Sequence, residues 1–229
     1  MRGSFITFEG GEGTGKSTQS SLLAKRLRDM NIPVVQTREP GGTLGAEIMR
    51  HVLLSGAAKP LGPDAEALLF AAARADHVKT MIAPSLAHGD WVICDRYIDS
   101  TRVYQGAAGQ VDPRLISGLE RVTVGEIVPD LTIILDIDTK IGLARAAARR
   151  SGGAVDRFEE EKLDFHNKLR NAYREIATQN PDRCVLIDAQ GTPETVAAAI
   201  WKAVRERLNP TASPGSGNIA KPNMESAPT

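Results

Sequence analysis

The stretch FEGGEGTGKST, residues 8 to 18, sets Gly10 and, after four further residues, Gly15, Lys16 and Ser17 directly behind the apolar run SFITF. That spacing constrains the fold more than any other feature. Glycines free the backbone N–H groups to wrap a phosphate, and the helix that must follow turns its positive N-terminal end towards it. Gly10, Gly11, Glu12, Gly13, Thr14, Gly15, Lys16, Ser17 and Thr18 therefore form the expected cradle of a nucleoside triphosphate, with Lys16 reaching the outer phosphates and Ser17 ligating Mg²⁺. The motif by itself does not choose between a kinase, a switch GTPase and a motor ATPase.

Short apolar runs recur along the chain and predict strands at Ser4 to Phe8, Pro33 to Thr37, Trp91 to Cys94, Leu131 to Asp136 and Cys184 to Ile187. None alternates strictly with polar residues, which is the pattern of parallel strands covered on both faces. Helical patterns fall between them, near 16–29, 64–87, 113–126, 140–150, 158–179 and 193–208. Strand, helix, strand in repetition predicts an open α/β sheet. A chain of 229 residues with 41% hydrophobic content suits one domain, here 1–208. The remainder, 209–229, is rich in Pro, Ser, Gly and Asn and reads as a disordered tail.

Lys plus Arg and Asp plus Glu balance at 28 each, so bulk charge argues against nucleic-acid or anionic-membrane binding, and any basic site must be local. No apolar run approaches the roughly 20 residues of a spanning helix, and the N-terminal run is too short for a secretory signal. A cytosolic location is expected. Cys94 and Cys184 lie in apolar runs without metal-like spacing and read as buried thiols.

Three further stretches bear on function. TREPGGT, 37–43, follows the second strand and offers Arg38 beside a tight turn. CDRYIDSTRVYQG, 94–106, puts Asp95 and Arg96 at the carboxyl end of the third strand, the edge where open α/β sheets bind ligands. Asp95 suits Mg²⁺ or its waters, or a bond to Arg96 alone; Arg96 suits bidentate phosphate recognition. In LLFAAARADHVK, 68–79, Phe70 and Arg74 share a helix face, distinct from a Leu68, Leu69 and Ala72 side that suits the core. Phe70 is either a platform for a base or a core residue.

Together these residues resemble the thymidylate kinase family of the bacterial kind. The resemblance runs from about Gly3 to Leu208 and rests on FEGGEGTGKST, TREPGGT, Phe70 with Arg74, DRYIDSTRVYQG and DRFEEE at 156–161. It implies a P-loop NTPase fold, a five-stranded parallel sheet flanked by helices with a short arginine-rich lid near 149–157. It also implies transfer of the γ-phosphoryl of ATP to dTMP, giving dTDP and ADP, with Mg²⁺, in a homodimer. By resemblance, Arg38 and Arg96 hold the acceptor phosphate, Phe70 stacks on thymine and Arg74 bonds to its O4. Ser100, Thr101, Tyr104 and Gln105 line base and sugar, with Tyr104 where a ribose 2′-OH would crowd, and Glu12 faces the acceptor sugar. Arg145, Arg149, Arg150 and Arg157 supply the lid, with Arg149 and Arg157 as catalytic candidates beside Lys16, Asp95 and Arg96.

The chain departs from the family at three places. Gly11, Glu12, Gly13 and Thr14 include no cation, so catalytic charge must come from elsewhere; read without the family, the arginine cluster is a solvated helix face. Val103 stands where alanine is expected, under the sugar. The segment 151–155 is longer than usual. Among rivals, a GTPase would need an N/T-K-x-D stretch, which LDIDTK at 135–140 does not supply, and a nucleic-acid motor would need a basic track. A deoxynucleoside kinase would not need both Arg38 and Arg96 for an acceptor phosphate.

Overall fold

The apolar runs become strands β1 (Phe5–Glu9), β2 (Val34–Arg38), β3 (Trp91–Asp95), β4 (Leu131–Asp136) and β5 (Cys184–Asp188). They form one parallel sheet in the order β2-β3-β1-β4-β5. The computed structural model describes residues 2–149, 158 and 161–211, Arg149 in its backbone only. The proposed lid and the tail beyond residue 211 lie almost wholly outside the described residues.

The connections carry α1 (Lys16–Asp29), α2 (Leu44–Leu54), α3 (Pro63–His77), α4 (Ala83–His88), α5 (Ile98–Thr101), α6 (Pro113–Thr123), α7 (Thr139–Arg149), α8 (Leu163–Gln179) and α9 (Pro193–Leu208). Alternate strand residues serve opposite faces of the sheet. Ile6, Phe8, Ile93 and Ile133 meet Leu23 and Leu27 of α1 and Ile200 and Val204 of α9. Phe5, Val92 and Cys94 meet Ile82, Leu86 and Tyr97 on the other face, where Ile134 also packs on Leu169 and Tyr173 of α8. Burial on both faces is why β1, β3 and β4 lack polar alternation, whereas the edge strands β2 and β5 are only partly covered, with Gln36 and Leu186 exposed; each large side chain fully buried contributes roughly 1.5–3 kcal/mol. The register brings Arg38 of β2 and Phe8 of β1 level with Asp95 of β3, so β2 and β3 end on one row and β1 runs one residue further, to Glu9.

Several local expectations are corrected. The predicted 64–87 helix is α3, a π-helical turn at Val78–Ile82, and α4. The 158–179 helix starts at Leu163. Two helical segments escape the hydrophobic pattern, α2 and the π-helical run Arg102–Ala108 that continues α5. In α2 the large residues Leu44 and Ile48 point outward while Ala46 and Leu53 are buried, which inverts the apolar signal. The face expected to suit the core on α3 is also wrong: Leu68 is 52% exposed and Ala72 is exposed. The buried stripe is Ala67, Ala71, Arg74 and Val78, because small side chains let the helix lie close and Arg74 has a buried carboxylate to meet. Val103 packs wholly into the core with Ile134 and Leu169.

Candidate active site

The loop after β1 is shaped by close approach. Gly13 has φ of +66°, and a Cβ there would lie 1.8 Å from the Gly142 carbonyl oxygen of α7, so only glycine fits. Gly15, also left-handed, precedes α1, whose first turn begins with Lys16. The Lys16 ammonium is folded back on the loop, donating to Gly11 O at 2.8 Å and Gly10 O at 3.2 Å. Burial, then Arg96, pulls its pKa below the ordinary lysine value. Thr14 Oγ1 donates to Gly11 O at 3.0 Å, and Ser17 and Thr18 are exposed on the first helical turn. Ser17 Oγ donates to Asp95 Oδ2 at 2.6 Å, which joins the loop to the end of β3.

Arg96 follows Asp95 with φ of +70°, a conformation rarely adopted by a bulky residue. This turn aims its guanidinium back across the end of β1. Nη2 donates to Glu12 Oε1 at 2.6 Å, and Nη1 donates to Gly10 O at 3.1 Å, Ser100 Oγ at 3.2 Å and Tyr173 OH at 3.3 Å. Tyr104 OH also donates to Glu12 Oε1, at 2.7 Å. Burial alone would raise the Glu12 pKa, but Arg96 and then Lys16 hold its carboxyl at about 2. Glu12 is thus a carboxylate at every physiological pH.

Arg38 is half-exposed and donates from Nη2 to Glu47 Oε1 at 2.9 Å. Glu47 also accepts from Gly42 N, and that bond, with Arg38, holds its pKa below the ordinary value. Arg74 is buried: Nε donates to Glu39 Oε2 at 2.7 Å and Nη2 to Tyr97 O at 3.1 Å. His77 braces the same Glu39, with Nδ1 3.1 Å from Oε1 and Nε2 2.7 Å from Thr37 Oγ1. Phe70 is half-buried, its ring centroid 6.4 Å from that of Phe158, which lies edge-on to Tyr104 at 5.3 Å. Thr101 and Gln105 are buried on the segment that carries Ser100 and Tyr104.

The structure therefore gathers Glu12, Lys16, Ser17, Asp95, Arg96, Ser100 and Tyr104 within hydrogen-bonded reach, with Arg38 level with Asp95 on the neighbouring strand. Arg145 stands apart: its Nη1 and Nη2 donate to Ala189 O and Gln190 O at 2.9 and 3.1 Å, so it holds the loop after β5. Arg157 and Arg150, and the side chain of Arg149, lie outside the described residues. Among the described residues no group of three or more His, Cys, Asp or Glu side chains could hold a metal. Mg²⁺ fits the site nonetheless, since it needs only one or two protein oxygens beside those of phosphates, and Ser17 Oγ and Asp95 Oδ2 form such a pair.

Sequence reasoning missed the buried carboxylates Glu9 and Glu39, with Tyr173 and His77. An acid closing a fully buried strand, as Glu9 closes FITFE, was a usable signal; Tyr173 carried none.

The thymidylate kinase family model matches residues 8–200. A thymidylate kinase of Bradyrhizobium diazoefficiens is 62% identical over 210 residues, 92% of each chain. One of Rhodopseudomonas palustris is 59% identical over 217 residues, 94% of each. The crystal structure of thymidylate kinase from Ehrlichia chaffeensis superposes with a TM-score of 0.73 at 35% identity, covering 89% of this chain and all of that one. A phosphate loop tied through Ser17 to Asp95, a sheet ordered 2-3-1-4-5 and a match over most of the chain agree: it belongs to the thymidylate kinase family.

Proposed function

We infer that this chain transfers the γ-phosphoryl group of ATP to dTMP, giving dTDP and ADP, and that the residues gathered at the ends of β1, β2 and β3 carry the reaction. The observation that supports this most is Arg96, an invariantly charged fork standing between the triphosphate loop and Tyr104. One arginine held against both the loop and the Glu12–Tyr104 pair suits an acceptor that itself bears a phosphate.

Arg96 and Arg38 bind the dTMP phosphate, exchanging Glu12 and Glu47 in part for its oxygens. Phe70 stacks on thymine, Arg74 donates to O4, and Ser100, Thr101 and Gln105 complete the base and sugar wall. Tyr104, fixed by Glu12, occupies the space a 2′-OH would need. Lys16 leaves the Gly10 and Gly11 carbonyls for the outer phosphates of ATP, and Thr14, Thr18 and the loop amides wrap them. Ser17 and Asp95 would hold Mg²⁺, which when bound neutralises charge on the β- and γ-phosphates. A dTMP phosphate oxygen attacks the γ-phosphorus as the bond to the bridging β,γ-oxygen breaks and ADP leaves. The phosphate nucleophile is already ionised, so these residues act by position and charge, without a dedicated base. Arg149 and Arg157 of the segment 149–157 are proposed to supply the positive charge that residues 11–14 lack, and Arg145 to border the ATP site.

A second copy of the chain is the proposed partner; α3 packs against both α2 and α6, and Leu44, Ile48, Leu68 and Val122 of these helices are exposed. The free buried thiols of Cys94 and Cys184 suit the proposed cytosolic location.

ADP release measured with ATP, Mg²⁺ and a panel of nucleoside monophosphates, thymidine included, tests the acceptor. dTMP should be the best substrate and thymidine inert. AMP, CMP or thymidine outperforming dTMP would overturn the assignment. Phe70→Ala should weaken dTMP binding by roughly 1–3 kcal/mol, the scale of a base–aromatic contact, with little change for ATP. Because Phe70 is only half-buried, its melting temperature should hold; a stability loss near 3 kcal/mol instead marks a core role.

A further inference from the structure

Glu9, the last residue of β1, is fully buried, yet its carboxylate has four donors around it. Oε1 accepts from Tyr97 N at 2.8 Å and Ser100 N at 3.2 Å, while Oε2 accepts from Ser100 Oγ at 2.7 Å and Tyr173 OH at 3.0 Å. The same two hydroxyl oxygens accept from Arg96 Nη1. A carboxylate can only accept and a guanidinium can only donate, so although Ser100 Oγ and Tyr173 OH also lie 3.0 Å apart, the ionised Glu9 draws both hydroxyl protons to itself. Both protons point to Glu9 and both lone pairs to Arg96.

We propose that Glu9 is a positioning residue: through the hydroxyls of Ser100 and Tyr173 it orients the Arg96 guanidinium towards the acceptor phosphate. This rests on Arg96 as the phosphate-binding residue. An amide in place of the carboxylate would present N–H donors to both hydroxyls; Ser100 Oγ and Tyr173 OH lie 3.0 Å apart, so one can donate to the other, and the remaining proton is left facing a cation that has no acceptor. Arg96 Nη1 would then keep Gly10 O and one hydroxyl of its three partners.

The ionisation of Glu9 supplies a readout that a merely structural role would not move. Burial first, then Asp99, raises its carboxyl to about 7, against the opposing pull of Ser100, Arg96 and Tyr97 N. Lys16 from α1, Tyr173 from α8, Cys94 from β3 and Cys184 from β5 also face it. The deprotonated form orients Arg96, so acceptor recognition should improve as pH rises through about 7.

The test compares Glu9→Gln with the unaltered chain at pH 6 and pH 8. kcat/KM for dTMP in the variant should be about 30-fold lower at pH 8, the loss of one hydrogen bond to a charged group, and only a few-fold lower at pH 6. Titration of the dTMP phosphate affects both proteins alike and leaves their ratio untouched. Affinity for a fluorescent ATP analogue without dTMP should change less than about threefold, because Gly10 and the loop remain. A ratio independent of pH, or parallel losses of ATP affinity, dTMP affinity and melting temperature, overturns the proposal. If Glu9→Gln does not fold, Tyr173→Phe decides: with one donor to Glu9 gone, its pH limb should move upward and dTMP affinity should fall. An unmoved limb overturns the proposal. Phosphoryl transfer to dTMP by the unaltered chain tests the site reading separately.

Discussion

Arg96→Ala should lower kcat/KM for dTMP by about 10³-fold or more, the scale of an arginine acting on a transferring phosphoryl group. Arg96 Nη2 balances Glu12, whose carboxyl is held at about 2 by that cation and Lys16. With the guanidinium gone, a carboxylate that is 12% exposed keeps its charge without its main partner. Breaking a buried pair from one side costs about 3–5 kcal/mol. Kinetics and denaturant unfolding should therefore both show large losses. Arg96→Lys should restore part of the stability through its charge, but little of the rate, because one ammonium cannot reach Glu12, Ser100 and Tyr173 as the planar fork does. An alanine variant within tenfold of the parent in kcat/KM would remove Arg96 from the acceptor site.

Lys16→Met should lower kcat about 10³-fold while leaving stability intact or raised. The two effects separate because the ammonium is desolvated with no carboxylate in direct contact: its hydrogen bonds go to the Gly10 and Gly11 carbonyls, and burial weakens its hold on the proton despite the field of Glu12, Asp95 and Glu9. Methionine fills similar volume without a charge to desolvate. On ATP binding the lysine trades two carbonyls for phosphate oxygens, and that trade is what the variant loses. Stopped-flow or steady-state kinetics alongside melting curves check the pair of outcomes. A fall in melting temperature matched by a small kinetic loss would make Lys16 a structural tie of the loop.

The fold was legible where one stretch of chain decides its own conformation. Gly10 to Ser17 announces a strand, a loop and a helix by its spacing alone, and the buried runs LTIILD and WVICD could only be inner strands. The pair Asp95 and Arg96 could be placed because strand ends in a parallel sheet are where loops meet ligands. What escaped depends on partners far along the chain. Arg74 reads as part of a functional face with Phe70, but its burial depends on Glu39 and His77 being brought beneath it. Leu68 reads as core until the alanines flanking it prove to be the contact face. Tyr173 lies far from Glu9 in sequence, and no periodicity of α8 distinguishes its hydroxyl from that of any other buried tyrosine.

The shared row near the ends of β1, β2 and β3 limits how the length of this chain can change over descent. Arg38, Asp95 and Phe8 share one row, held by backbone hydrogen bonds rather than by their side chains. Successive side chains in a strand point to opposite faces, so deleting one residue within any of the three strands turns every later side chain to the wrong face. Residues that cap the row would be displaced with it. Insertions and deletions are therefore confined to the connections, and a descendant can gain or lose residues between α2 and α3, or beyond α9, while the spacing from Phe5 to Ser17 and from Trp91 to Ser100 stays fixed.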